Sequence, residues 1–110
     1  MEIKLSICIP TYNYGAYIGE TLYSILSQVT DELEVIVLDG GSTDETSTVI
    51  ANYQRNYPQL CYYKQDHRGG IDRDIDKLLN LAKGKYCWLF SADDIMAPHS
   101  IDIILGEISS

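Results

Sequence analysis

Four short runs of strand-forming residues, 3–9, 34–38, 60–64 and 86–90, alternate along the chain with segments whose apolar residues recur on a helical period. Repeating strand and helix in this way leads to a parallel sheet, because each helix crosses over the sheet in a right-handed sense to reach the next strand. The first strand is expected at the centre, with the second and third on one side and the fourth on the other, giving the order 3-2-1-4. Helices are expected on both faces. The fourth run, YCWLF, is apolar at every position, so it reads as a strand buried on both faces.

Local signals set the expected boundaries. The first strand should stop at Pro10, which has no N–H for the ladder. Ile18, Leu22, Leu26, Ile25 and Val29 mark one face of the first helix. Asp39, Gly40 and Gly41 follow the second strand, and the two glycines should allow a sharp turn that leaves Asp39 open to a ligand. Ser42 and Glu45 have the spacing of a capping box, with Asp44 adding negative charge at the start of the second helix. Val49, Ile50, Tyr53 and Tyr57 form its expected buried face, and Pro58 ends it. A third helix should begin near Ile71, bury Ile75, Leu78, Leu79 and Ala82, and close on Gly84 as a C-terminal cap. Pro98 suits the first turn of a last helix with Ile101, Ile104, Leu105 and Ile108 inward.

A chain of 110 residues with 8 glycines and 3 prolines reads as one domain without linkers or repeats. Its net charge of -8 argues against nonspecific binding to nucleic acid or anionic lipid. An anionic ligand at an acid-lined edge would need an intervening cation, and a divalent metal is the simplest candidate. Cys8, Cys61 and Cys87 lack CxxC spacing and lie in expected strands, so they read as small core residues in a reducing compartment. No apolar stretch approaches the ~20 residues needed to span a bilayer. The expected location is the cytoplasm, with peripheral association at the inner face of the membrane compatible with it.

Ligands of open α/β sheets bind outside the carboxyl ends of the strands, at the point where strand order reverses. Here that point falls between the first and fourth strands, and Thr11, Tyr12, Asp39 and Asp93 all follow carboxyl ends near it. Each also has a plainer reading. Tyr12 alone could be a surface loop aromatic, and Asp39 a turn carboxylate. Asp93 and Asp94 are either metal ligands or a hydrated acidic turn. Arg73 could reach a diphosphate or stand exposed among Asp72, Asp74 and Asp76. His67 and Arg68 read as loop surface, and His99 has no evident partner.

Three ordered segments, SICIPTYNYGAYIGETLYSILSQ, EVIVLDGGSTDET and KGKYCWLFSADD with Pro98 beyond it, resemble the signature segments of the family 2 glycosyltransferases, which have the GT-A fold. The stretch GGIDRDIDKLLNLAKGKYCWLFS is similar to the branch that includes abequosyltransferases. The resemblance implies a Rossmann-like, partial GT-A fold, with residues 1–110 forming the donor-binding half of a longer, truncated domain. It implies transfer of a sugar from a nucleotide-diphospho-sugar to a saccharide or lipid-linked acceptor, with inversion, in bacterial polysaccharide or lipopolysaccharide synthesis. Pro10, Thr11, Tyr12, Asp39, Arg73, Ser91 and Asp93 would then bind the donor. Asp93, supported by Asp94, would bind Mg²⁺ or Mn²⁺. The family's Asp-x-Asp motif is altered, because Ser91 occupies the first acidic position. No residue matches the general base, so the catalytic residue is unassigned and the chain alone is expected to be inactive.

Other readings differ in what they require. A non-catalytic nucleotide-binding or scaffold module would suit the short chain and Ser91. A dinucleotide-binding dehydrogenase would need GxGxxG where this chain has PTYNYG. A nucleotidyltransferase would need a glycine-rich, arginine-containing first loop. If the acceptor half is missing, apolar faces are left uncovered and self-association is expected.

Overall fold

The computed structural model describes residues 2–66 and 70–108, so the expectations for His67 and Arg68 fall outside the described residues. The elements in chain order are β1 (Leu5–Thr11), α1 (Gly15–Leu26), β2 (Leu33–Asp39), α2 (Thr46–Gln54), β3 (Leu60–Lys64), α3 (Ile71–Leu81), β4 (Tyr86–Leu89) and α4 (Ser100–Ile108). All strand pairs are parallel and the order is β3-β2-β1-β4, as the alternation of strand and helix leads one to expect.

The pleat sorts side chains between two faces of the sheet. Leu5, Ile7 and Ile9 of β1 and Leu33, Val35 and Val37 of β2 join Ile18, Leu22 and Ile25 of α1, Ile50 of α2 and Ile101 of α4 in the main core. Cys8, Ile36 and Leu38 meet Leu78 of α3 on the other face. A fully buried Leu or Ile contributes roughly 1.5–3 kcal/mol, so the larger face dominates stability and the α3 face is the lightly held one.

Several local expectations need correction. Strand β1 runs through Pro10 to Thr11. Cys8 O accepts from Phe90 N on the β4 side and Thr11 O from Gly40 N on the β2 side, so Pro10 turns its donor-less nitrogen toward β4, where pairing has already ended at Cys8 and Leu89. Strand β4 is not buried on both faces: it is an edge of the described sheet, with Tyr86, Cys87 and Leu89 exposed and Trp88 half-buried. Helix α3 lies over β1 and β2 rather than β4, so it leaves that strand's outer side uncovered. The stripe on α3 is accordingly narrow, with Leu78 buried, Ile75 half-buried and Leu79 exposed. Cys87, in β4, is exposed, whereas burial of Cys8 raises its thiol pKa to about 12.

Gly84 does not cap α3. The helix ends at Ala82 in extended backbone, and Gly84 instead marks a close approach between backbones. A Cβ on Gly84 would lie 2.6 Å from the Ser6 nitrogen and 2.5 Å from its hydroxyl. That hydroxyl accepts from Gly84 N at 2.8 Å and donates to the buried Glu34 carboxylate at 2.7 Å, which also accepts from Lys83 N at 2.7 Å. This network satisfies a buried acid at the start of β2 and ties the α3–β4 connection to the sheet. Pro98 precedes α4 by two residues rather than standing in its first turn.

Candidate functional site

The loops after β1 and β2 are hydrogen-bonded into one unit. Gly40 N donates to Thr11 O at 2.9 Å, Asn13 N to Ser42 Oγ at 2.8 Å, and Thr43 N to Asn13 Oδ1 at 2.8 Å. Asn13 adopts φ 56°, a left-handed conformation that asparagine tolerates better than most residues. Ser42 is therefore engaged between loops and does not form the expected capping box; Glu45, at the cap position of α2, makes no side-chain cap bond. Asp44 takes over that role for two helices at once. It accepts from the Thr46 amide and hydroxyl and, at 3.0 Å, from Gly15 N at the start of α1. The Thr46 hydroxyl, helped by these amides and opposed by partial desolvation, holds its carboxyl below the usual aspartate range.

Asp39 ends β2 with no exposed surface. Its Oδ1 accepts from Gly41 N at 3.0 Å, Ser42 N at 2.8 Å and the Ser42 hydroxyl at 2.7 Å, and Oδ2 accepts from the Tyr62 hydroxyl. The glycines thus do not open Asp39 to a ligand; Gly41, at φ 98°, bends back so that its own amide reaches the carboxylate. A ligand could reach a free lone pair of Oδ2 only if the turn or Tyr62 moved. Burial, then the bond to Asp39, pushes the Tyr62 hydroxyl up to about 12, so it remains a donor at physiological pH. Ser47 lies 2.8 Å from that hydroxyl and accepts from Lys64 Nζ at 3.1 Å.

Beside this turn the carboxyl end of β1 opens into a cleft of about 540 Å³ lined by Pro10, Thr11, Tyr12, Tyr14, Ile71 and Asp74. Thr11 is 4% exposed, and its hydroxyl is the buried side-chain oxygen left without a partner among the described residues. Such an orphan costs about 1–3 kcal/mol unless a ligand or water satisfies it. Asp74, 6% exposed, accepts from Gln65 Nε2 at 2.8 Å. Arg73 points elsewhere, lining a different cleft with Lys64, Gln65 and Lys77.

A neighbouring cleft of about 510 Å³ shares Pro10 and Ile71 and continues to Trp88, Phe90, Ser91 and Asp94. The structure thus brings Pro10, Thr11, Tyr12, Ser91 and Asp94 to one edge, with Asp39 beneath it, Arg73 outside, and Asp93 next to Asp94 in the chain but lining neither cleft. Asp93 and Asp94 are exposed, and no other described side chain bonds their carboxylates. Among the described residues no three His, Cys, Asp or Glu side chains converge on one point. Two free carboxylates are hard oxygen donors of the kind Mg²⁺ and Mn²⁺ prefer, and such ions retain positions for water and ligand phosphate, so the donor set fits a divalent cation completed by its ligand.

Tyr62, Asn13 and Ser47 carry the site without being evident from sequence. Asn13 had a readable signal, since Asn before a Tyr-Gly pair in a loop favours left-handed backbone. Tyr62 had none, because its reach to Asp39 depends on the register that sets Val37 opposite Tyr62 and Asp39 opposite Lys64.

Residues 6–110 match the family described as Glycosyl transferase family 2. Abequosyltransferase RfbV of Salmonella typhimurium is 37% identical over 109 residues, covering 96% of this chain and 33% of that protein. Chondroitin synthase of Escherichia coli is 32% identical over 103 residues, 94% of this chain and 15% of that protein. In structure, the mannosyltransferase PcManGT from Pyrobaculum calidifontis, in complex with GDP-Man and Mn²⁺, matches with a TM-score of 0.86 at 25% identity, over 100% of this chain and 33% of that one. TarS 1-349 of S. aureus, in complex with UDP-GlcNAc, gives 0.88 at 30% identity, over 97% of this chain and 31% of that one. The chain spans a third or less of the length of these relatives. It belongs to glycosyl transferase family 2.

Proposed function

We propose that this chain is the donor-binding part of a longer glycosyltransferase that moves a sugar from a nucleotide-diphospho-sugar to an acceptor hydroxyl, with inversion, in bacterial polysaccharide or lipopolysaccharide synthesis. The observation that carries the proposal is the partnerless Thr11 hydroxyl, buried at the switch-point cleft. GDP-Man in one solved relative and UDP-GlcNAc in another support a nucleotide sugar as the ligand.

In this reading Thr11 hydrogen-bonds the nucleoside and the Tyr12 ring packs on its base, with Pro10 as the cleft floor. Asp39 acts by holding the turn at 40–42, and contacts the base only after that turn shifts. Ser91 hydrogen-bonds the ribose or a coordinated water, and Asp93 with Asp94 holds Mg²⁺ or Mn²⁺. The cation, when bound, supplies positive charge to the departing diphosphate. Arg73 serves the diphosphate only if its side chain swings around the start of α3. The general base lies outside these residues, and a saccharide or lipid-linked acceptor is bound by the remainder of the protein. Exposed Ile71 and Leu89, which line one cleft, offer apolar surface for that remainder, or for a second copy when it is absent. Among the described residues no helix is long and apolar enough to cross a membrane. We place the protein in the cytoplasm, at the inner membrane face when its acceptor is lipid-linked.

Calorimetric titration with UDP, GDP, CDP and TDP, with and without Mn²⁺, tests this reading on wild type and Asp93→Asn. One diphosphate should bind in a Mn²⁺-dependent way that Asp93→Asn abolishes. If none of the four binds, or if the substitution leaves the Mn²⁺ dependence unchanged, the donor site is wrongly placed. A second reading, a nucleotide-binding module without catalysis, is favoured by Ser91 in place of an acid; sugar transfer by the full-length protein would eliminate it.

A further inference from the structure

The segment between β4 and α4 has little backbone pairing of its own, yet it carries both acids of the candidate metal site. After Phe90 N bonds Cys8 O at 2.9 Å, its internal backbone bonds are Asp94 N to Ser91 O and Ser100 N to Ala97 O, each 3.3 Å. What holds it is a row of polar side chains on α1 and the turn that follows. Thr21 Oγ1 donates to Ala92 O at 2.9 Å, and Ser24 Oγ accepts from Met96 N at 2.9 Å. Gln28 Nε2 donates to Ala97 O, and its Oε1 accepts from Ile101 N, both at 3.0 Å. The three residues fall on one helical stripe, and each bonds a backbone atom about seventy residues away in sequence.

Ala92 and Met96 are each 4% exposed and belong to the main core. Asp93 and Asp94 therefore stand on a short exposed arch whose two feet are buried and whose feet are hydrogen-bonded to one helix. We propose that Thr21, Ser24 and Gln28 are positioning residues that fix the acidic arch relative to the end of β1, presenting Asp93 and Asp94 in place before any cation arrives. The proposal rests on the metal-binding reading above for its purpose, while the bracing itself is independent of it. Preorganisation of ligand carboxylates by such supporting bonds is worth about 10–100-fold in metal affinity in other sites.

The test compares wild type with Thr21→Val plus Ser24→Ala, with Thr21→Ser, which keeps the donor, and with Ile50→Ala, a core deletion under α2 that leaves the row intact. Two readouts are taken on folded protein: amide hydrogen exchange over 92–97, and Mn²⁺ affinity from water-proton relaxation. The double variant should exchange at Met96, whose amide loses its Ser24 acceptor, at least about tenfold faster and bind Mn²⁺ about tenfold more weakly. Thr21→Ser should restore both to near wild type, and Ile50→Ala should change neither selectively. Unchanged exchange over 92–97 in the double variant overturns the bracing. Faster exchange with unchanged Mn²⁺ affinity overturns its role in positioning the acids, as does an equal loss in Ile50→Ala. A wild type that binds no Mn²⁺ sinks the metal reading, and the exchange readout then decides the bracing by itself.

Discussion

The hydroxyl of Tyr62 on β3 donates to the buried carboxylate of Asp39 at the end of β2, so the turn bonded to the loop of the candidate site is held from the neighbouring strand. Neither group faces water freely. The carboxylate would be short of a donor without the phenol, and the phenol is kept protonated by burial and by the carboxylate.

Tyr62→Phe removes that donor and should lower stability by about 1–3 kcal/mol in urea unfolding. It should also flatten the alkaline limb. Tyr62 titrates higher when folded than the ordinary tyrosine value near 10 and reaches about 12, so its contribution is complete below the unfolded value and is lost as pH rises through the folded one. An unfolding midpoint that falls equally in wild type and variant between those values would remove Tyr62 from the account.

Asp44 predicts the opposite limb. Its carboxyl is held below the ordinary range by the Thr46 hydroxyl first and then by backbone amides. Its contribution is therefore present above the unfolded value, about 3.9, and disappears as pH falls through the folded one. Asp44→Asn should be less stable than wild type at neutral pH and should approach it in acid. A constant gap across that range, by thermal unfolding, would contradict this.

Gly84→Ala should be severely destabilising, because its Cβ would lie 2.6 Å from the Ser6 nitrogen and 2.8 Å from the Leu5 carbonyl carbon, both backbone atoms that cannot yield. A cost of about 3 kcal/mol or more is expected. Gly106→Ala meets nothing within 4 Å and should stabilise α4 by about 0.5–1 kcal/mol. Thermal unfolding of the two variants should give shifts of opposite sign.

Ser91→Asp would restore an acid beside Asp93. If the acidic arch holds a divalent cation, Mn²⁺ affinity should rise on the order of tenfold with the added charge. Unchanged affinity in water-proton relaxation would show that residue 91 lies outside the coordination sphere.

Sequence by itself determined the parallel sheet, its strand order and the edge at which a candidate site is sought. Those follow from periodicity, which each segment carries locally, and from the fixed handedness of crossovers. Thr11, Tyr12 and Asp93 were readable as candidates for the same reason, since strand ends mark the binding edge, but the folded chain puts Asp94 rather than Asp93 in the lining of the cleft. Tertiary structure alone decided what each polar group does there. Ser42 has the spacing of a helix cap, yet it bonds Asp39 and Asn13 because the two loops meet. Asp39 looked open beside two glycines, yet register brings Tyr62 to it and buries it. YCWLF has the composition of a central strand, but composition records only a tendency to be buried, while the neighbour that would bury it is supplied by packing. Hydrogen-bond partners far apart in sequence, such as Thr21 with Ala92, leave no periodic trace, and only the folded chain brings them within reach.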